Sequence, residues 1–132
     1  MIIASQNLNN YNIPVPKDTV LRINLAWCNS IDELENILKT HQDNKIFVDL
    51  PIGRIKPPNN RYTLEEIVPL FKSYKNIQYF AISNVENGTD LDVFLNSIPK
   101  NVTIVPKIES PKGVKNIEEI IKKLDYEEQI VM

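Results

Sequence analysis

Lys107 and Glu109 close the stretch Val102-Thr-Ile-Val-Pro-Lys-Ile-Glu109, and these two are the residues best placed to do chemistry. The run reads as a buried strand whose end turns charged. Side chains alternate faces along a strand, so Val102, Ile104, Pro106 and Ile108 share one side, and Thr103, Val105, Lys107 and Glu109 the other. An ammonium and a carboxylate thus leave together from the C-terminal end of an apolar strand. Parallel α/β proteins bind ligands at that end. An ion pair that merely closes the strand would explain a lone Lys-x-Glu triplet equally well, so the other strands have to decide.

The same alternation runs through two earlier segments. In Val20–Leu25, Leu21, Ile23 and Leu25 share one face, while Val20, Arg22 and Asn24 share the other. In Lys45–Leu50, Ile46, Val48 and Leu50 oppose Phe47 and Asp49. Three strands therefore carry polar groups on a common side near their C-terminal ends. Burying such charges without a purpose is costly. Arg22 offers a planar fork for a phosphate or carboxylate. Glu109 suits a hard divalent cation, Mg²⁺ or Mn²⁺, which takes oxygen ligands. Lys107 could stabilise charge developing on an enolate oxygen or assist proton transfer.

Elements that position these residues follow from periodicity. Ile2–Ser5, Val20–Leu25, Lys45–Leu50, Ile77–Ile82 and Val102–Glu109 read as strands, and Gln129–Met132 as the start of a sixth. Between them, Ser30-Ile-Asp-Glu33 and Thr63-Leu-Glu-Glu66 have the spacing of capping boxes. Leu64, Ile67, Val68 and Phe71 recur at helical intervals. Asp90–Ile98 predicts a short helix, and Asn116-Ile-Glu-Glu119 opens or reinforces another through Leu124. Alternating β and α with short connections implies right-handed crossovers and a parallel sheet. The expectation is one α/β domain over residues 1–132, built from parallel (β/α) units of a TIM barrel with about six strands. A closed eight-strand barrel needs about 200 residues or more, so this one is incomplete. The alternatives are an open sheet, a part of a longer polypeptide, or a second chain or homo-oligomer that completes the barrel.

Composition narrows the partners. The 132 residues carry a net charge of −2, leaving no basic excess to displace counterions from nucleic acid. No stretch is long enough for a membrane span or a signal peptide. Cys28 is the only cysteine, so no intramolecular disulfide forms, and a reduced, cytoplasmic setting is the default. His41, the only histidine, sits in a polar turn and reads as a surface residue. The loop Gly53–Arg61 holds three cations, Arg54, Lys56 and Arg61, that could attract an anion.

Taken in order, Val20-Leu-Arg-Ile-Asn24, Ile46-Phe-Val-Asp49, Phe80-Ala-Ile-Ser-Asn-Val85 and Val105-Pro-Lys-Ile-Glu-Ser-Pro-Lys-Gly-Val-Lys-Asn-Ile-Glu-Glu-Ile120 resemble successive blocks of the pyruvate kinase family. The resemblance implies a phosphoenolpyruvate/pyruvate-binding TIM barrel whose inserted lid is reduced here to Gly53–Tyr62. It implies that Arg22 contacts phosphate and that Lys107 stabilises the enolate and the transferring phosphoryl group. It further implies that Glu109 holds the divalent metal and that Asn24 and Asp49 hold K⁺. Lys56 would stand for a second basic residue. Ala26 and Trp27 depart from the polar pair expected after Asn24. The function implied is metal-dependent chemistry on phosphoenolpyruvate, pyruvate or a related 2-oxo acid through an enolate. A lid-less citrate lyase or aldolase-type carbon–carbon lyase is the alternative, and a noncatalytic module binding a small anionic metabolite is a third.

Overall fold

The computed structural model describes residues 1–5 and 11–124. Five strands form one sheet in the order β1-β2-β3-β4-β5. They are β1 (Ile2–Ser5), β2 (Thr19–Asn24), β3 (Ile46–Leu50), β4 (Ile77–Ile82) and β5 (Thr103–Pro106). Every neighbouring pair is parallel. The helices are α1 (Ile31–Thr40), α2 (Leu64–Ser73), α3 (Asp92–Ser97), α4 (Pro111–Lys115) and α5 (Ile117–Lys122). The α/β class and the parallel sheet match the sequence reading. The sheet of described strands is not closed, and the segment read as a sixth strand, Gln129–Met132, lies outside the described residues.

Strand order without reversal has a direct consequence. Right-handed crossovers that always step the same way deposit their helices on one face. The main core shows this: Leu21, Ile23, Val48, Leu50, Phe80, Ile82 and Ile104 pack with Leu34 and Leu38 of α1, Ile67 and Phe71 of α2, Phe94 of α3 and Ile120 of α5. Phe71 meets Phe80 edge-on, with centroids 5.1 Å apart at 72°, the arrangement that ring quadrupoles favour. The opposite face carries a separate, smaller cluster of Val20, Phe47, Ala81 and Val105, with Ile3 and Tyr79 against it. Period-2 alternation along each strand sorts the residues between these two sides.

Caps fix where the helices start. Thr63 Oγ1 accepts from the Glu66 amide and Glu66 reaches back to the Thr63 amide, completing the expected box. Ser30 caps α1 through the Glu33 amide, but the Glu33 carboxylate takes the Asn29 amide instead of closing the box. The stretch read as one helix from Asp90 splits into a 3-10 turn, Gly88–Leu91, followed by α3. His41 corrects the surface reading: it is 3% exposed, and its Nε2 pairs with the Tyr11 carbonyl. A polar neighbourhood in sequence did not reveal the connector folded over it. Among the described residues, no helix is long and apolar enough to cross a membrane.

Candidate functional site

Asp49 is the centre of the site. It lies on the small-cluster face of β3, aligned with Asn24 on β2 and Ala81 on β4, and its side chain is fully buried. A carboxylate in that position demands charge and hydrogen bonds. Arg22, one pleat below on β2, donates from Nη2 to Asp49 Oδ2. Lys107 reaches from the end of β5, across Ala81, to place Nζ 3.1 Å from each Asp49 oxygen. The contact to Oδ2 has hydrogen-bond geometry. The contact to Oδ1 is ionic only, and that oxygen accepts no hydrogen bond among the described residues.

Both cations keep a free side. Arg22 and Lys107 side chains remain 29% and 15% exposed, and Arg22 Nη1 donates to Ser5 Oγ at 3.1 Å. They line a cavity of about 270 Å³ at the C-terminal ends of the strands, shared with Asn24, Ile52, Arg54, Asn84 and Glu109. Lys107 and Glu109 lie past the last residue of β5, which ends at Pro106 rather than Glu109. The ladder still steers them, because the Lys107 amide donates to the Ile82 carbonyl at 2.9 Å. Glu109 is 44% exposed, stands 3.8 Å from Lys107 Nζ and accepts the Asn84 amide at 2.9 Å. Counting formal charges, Arg22, Arg54 and Lys107 against Glu109 leave the cavity lining with an excess of two positive charges, reduced to one when the buried Asp49 behind it is included.

The structure thus brings Arg22, Asp49, Lys107 and Glu109 together, as the alternation implied. Asn24 lines the same cavity, but its Oδ1 accepts the Ala26 amide at 3.0 Å and caps the 3-10 turn Leu25–Trp27. With Asp49 bound to two protein cations and Asn24 engaged as a cap, this pair does not fit K⁺. For Mg²⁺ or Mn²⁺ the described residues of the cavity offer a poor ligand set. Such an ion takes oxygen ligands, and among the described residues of this cavity Glu109 is the one carboxylate not held by a buried pair, where it adjoins an ammonium. Among the described residues, no group of three acidic, histidine or cysteine side chains could hold a metal. Of the three loop cations, Arg54 lines the cavity; Lys56 and Arg61 are exposed. Cys28 is buried, and burial, with Glu33 nearby, pushes its thiol from 9.0 up to about 12.

Sequence reasoning missed Ser5 and Asn84. Ser5 was findable, since it pairs in register with Arg22. Asn84 has φ +56, a left-handed conformation that asparagine tolerates better than most residues. Its side chain donates to the Ile52 carbonyl at 2.6 Å, beside Gly53 at φ +69. A Cβ on Gly53 would sit 3.2 Å from Asn84 Nδ2. These contacts lock the loop after β3 to the loop after β4.

No protein-family model matches the chain, and no curated protein matches it. Among solved structures, the chain is similar to RipC from Yersinia pestis, with a TM-score of 0.53 and 14% identity, over 93% of this chain and 52% of that one. The chain therefore spans about half the length of RipC, and at that identity the likeness shows the fold alone. The resemblance to pyruvate kinase is corrected by these findings: no such family matches, and the likeness to RipC, at 14% identity, carries no family. Three of the four short blocks that carried the resemblance have charged residues near the ends of parallel strands, a pattern that a polar sheet mouth also produces.

Proposed function

We propose that the C-terminal mouth of the sheet binds a small anionic metabolite through a carboxylate or phosphate group. Arg22 and Lys107 are the ligand-contacting cations, and Asp49 is the buried carboxylate that aims them. One observation carries the reading: two cations converge on a fully buried carboxylate and still present exposed surface to one cavity. A buried ion cluster adds little stability over apolar packing, so its retention at a ligand-binding edge favours recognition. The volume, about 270 Å³, is enough for the acid group and the few carbons next to it, and 2-oxo acids are the class to test first. Strand order without reversal and helices on one face also support a (β/α) barrel segment, completed by further strands of a longer chain or a second copy.

Trp27 provides the test. It is the only tryptophan in the chain, is 42% exposed and follows Asn24 by three residues. Titration with pyruvate, oxalate and phosphate should change its fluorescence saturably, with Kd of about 1 mM or tighter, near −4 kcal/mol. Arg22→Met and Lys107→Met should each weaken binding tenfold or more. Saturation that survives both variants unchanged would overturn the reading.

Glu109 favours a second, catalytic reading, because an exposed carboxylate stands 3.8 Å from the Lys107 ammonium. A base beside a cation is what α-proton abstraction from a 2-oxo acid requires. Glu109 would accept the proton while the C–H electron pair moves to the carbonyl oxygen, whose charge Lys107 balances. Deuterium entering the methyl group of pyruvate, followed by NMR and lost in Glu109→Gln, is the expected result. Exchange no faster than in buffer would dismiss this step and leave the binding proposal standing.

A further inference from the structure

Two cavities meet at Asn84. Ile52, Ser83 and Asn84 line both the anion cavity and a second, adjoining one of about 470 Å³, so these residues are their shared wall, the Asn84–Ile52 ridge. Two hydrogen bonds hold this shared wall. Asn84 donates from its backbone to Glu109 Oε2 at 2.9 Å and from its side chain to the Ile52 carbonyl at 2.6 Å. The separation between the two cavities is therefore set by the fold.

The second cavity has a different chemistry. Val85 and Phe94 give it apolar wall, while Glu86, Asp90 and Lys112 give it charge. Glu86 accepts Ser110 Oγ at 2.8 Å and stands 3.1 Å from Lys112 Nζ. Asp90 Oδ2 accepts the amides of Glu86 and Asn87. Ser110 and Lys112 hold the Glu86 carboxyl below its usual range. For Asp90, burial pushes upward, but the Glu86 and Asn87 amides outweigh it and hold the group low. Both stay ionised at neutral pH. Each carboxylate oxygen has more than one acceptor direction, so both groups can take a further donor.

We infer that the second cavity is a subsite for the arm of the ligand, and that this arm ends in a hydrogen-bond donor, an ammonium or a hydroxyl. This rests on the anion-binding reading: the acid group sits on Arg22 and Lys107, the chain crosses the Asn84–Ile52 ridge, and the donor meets Glu86 and Asp90. The ligand class becomes an acid with an extended polar tip.

Three acids of equal length separate the possibilities: hexanoate, 6-hydroxyhexanoate and 6-aminohexanoate, with pyruvate as a short reference, all read by Trp27 fluorescence. The donor-tipped acids should bind at least tenfold tighter than hexanoate. Glu86→Gln should remove the advantage of the ammonium while leaving pyruvate unchanged. Lys112→Ala, which deletes a competing cation from an exposed position, should increase that advantage. Equal affinities for the three acids, with pyruvate binding still dependent on Arg22, would overturn the subsite and leave the anion site intact. Failure of every acid, pyruvate included, would overturn both.

Discussion

The two ends of the same sheet hold cavities of nearly equal size whose charges are held differently. At the N-terminal ends, Met1, Lys17, Asp18, Lys45 and Tyr79 line a space of about 300 Å³. At the C-terminal ends, Arg22, Lys107 and Glu109 line one of about 270 Å³. Both contain cations, so neither volume nor charge type separates them. Burial does. Lys17, Asp18 and Lys45 sit on exposed segments where water solvates them, whereas the C-terminal cations are tied to a carboxylate with no exposure. Held charges cost nothing further to orient when a ligand arrives. Solvated ones must be ordered first.

Removing the held charge should give the largest effect. Asp49→Asn leaves Arg22 and Lys107 facing each other across a neutral amide, and breaking a buried cluster from one side costs about 3–5 kcal/mol. Urea unfolding should show that loss. The triple replacement Arg22→Met, Asp49→Leu, Lys107→Met should recover most of it, since apolar packing commonly equals a buried ion cluster in stability. A triple variant as unstable as the single one would mean that the cluster holds the fold together, and the contrast between the two mouths would lose its functional meaning.

Next in size is the geometry of the fork. Arg22→Lys keeps the charge but loses the planar pair of donors that serves Asp49 and Ser5 together. Affinity for oxalate should fall about tenfold, or 1.4 kcal/mol, in the Trp27 titration. Unchanged affinity would reduce Arg22 to a point charge.

Gly53→Ala should come third. At φ +69 an added Cβ costs about 1–2 kcal/mol, and it would also press on Asn84 Nδ2. Thermal unfolding should register the loss. Because Asn84 also holds Glu109, the same variant should weaken anion binding, though less than Arg22→Lys does.

The sequence made the C-terminal mouth legible because period-2 alternation is a strong physical constraint. Once Arg22, Asp49, Lys107 and Glu109 fell on one face of parallel strands, little freedom remained in where they could point. Helix starts at Ser30 and Thr63 were legible for a similar reason, since a cap needs a specific donor and acceptor spacing. What failed depended on contacts between distant segments. His41 looked exposed because nothing local places Tyr11 over it. Asn24 is a different case: only the family resemblance made it an ion ligand, and its bond to the Ala26 amide, two residues on, is local. Closure of the barrel was beyond reach for the same reason as His41: alternation orders neighbouring strands but says nothing of whether the first meets the last.

The smallest effect is expected at the N-terminal mouth, and it is the sharpest control. Lys45 and Asp49 are four residues apart on the same chain, and at about 3.3 Å per residue the two ends of the strand stand about 13 Å apart. That exceeds the Debye length of about 8 Å at physiological salt, so Lys45 contributes little field at the anion site. Lys17→Met and Lys45→Met should each change stability by no more than about 0.5 kcal/mol, as exposed substitutions do. Oxalate affinity should move by less than twofold at 150 mM salt. Should Lys45→Met weaken oxalate as strongly as Arg22→Lys, the anion would be bound by the general field of the protein rather than by a built pocket. Repeating the titration at 20 mM salt would then decide, because diffuse attraction grows as screening falls while the Arg22–Lys107 contacts change little.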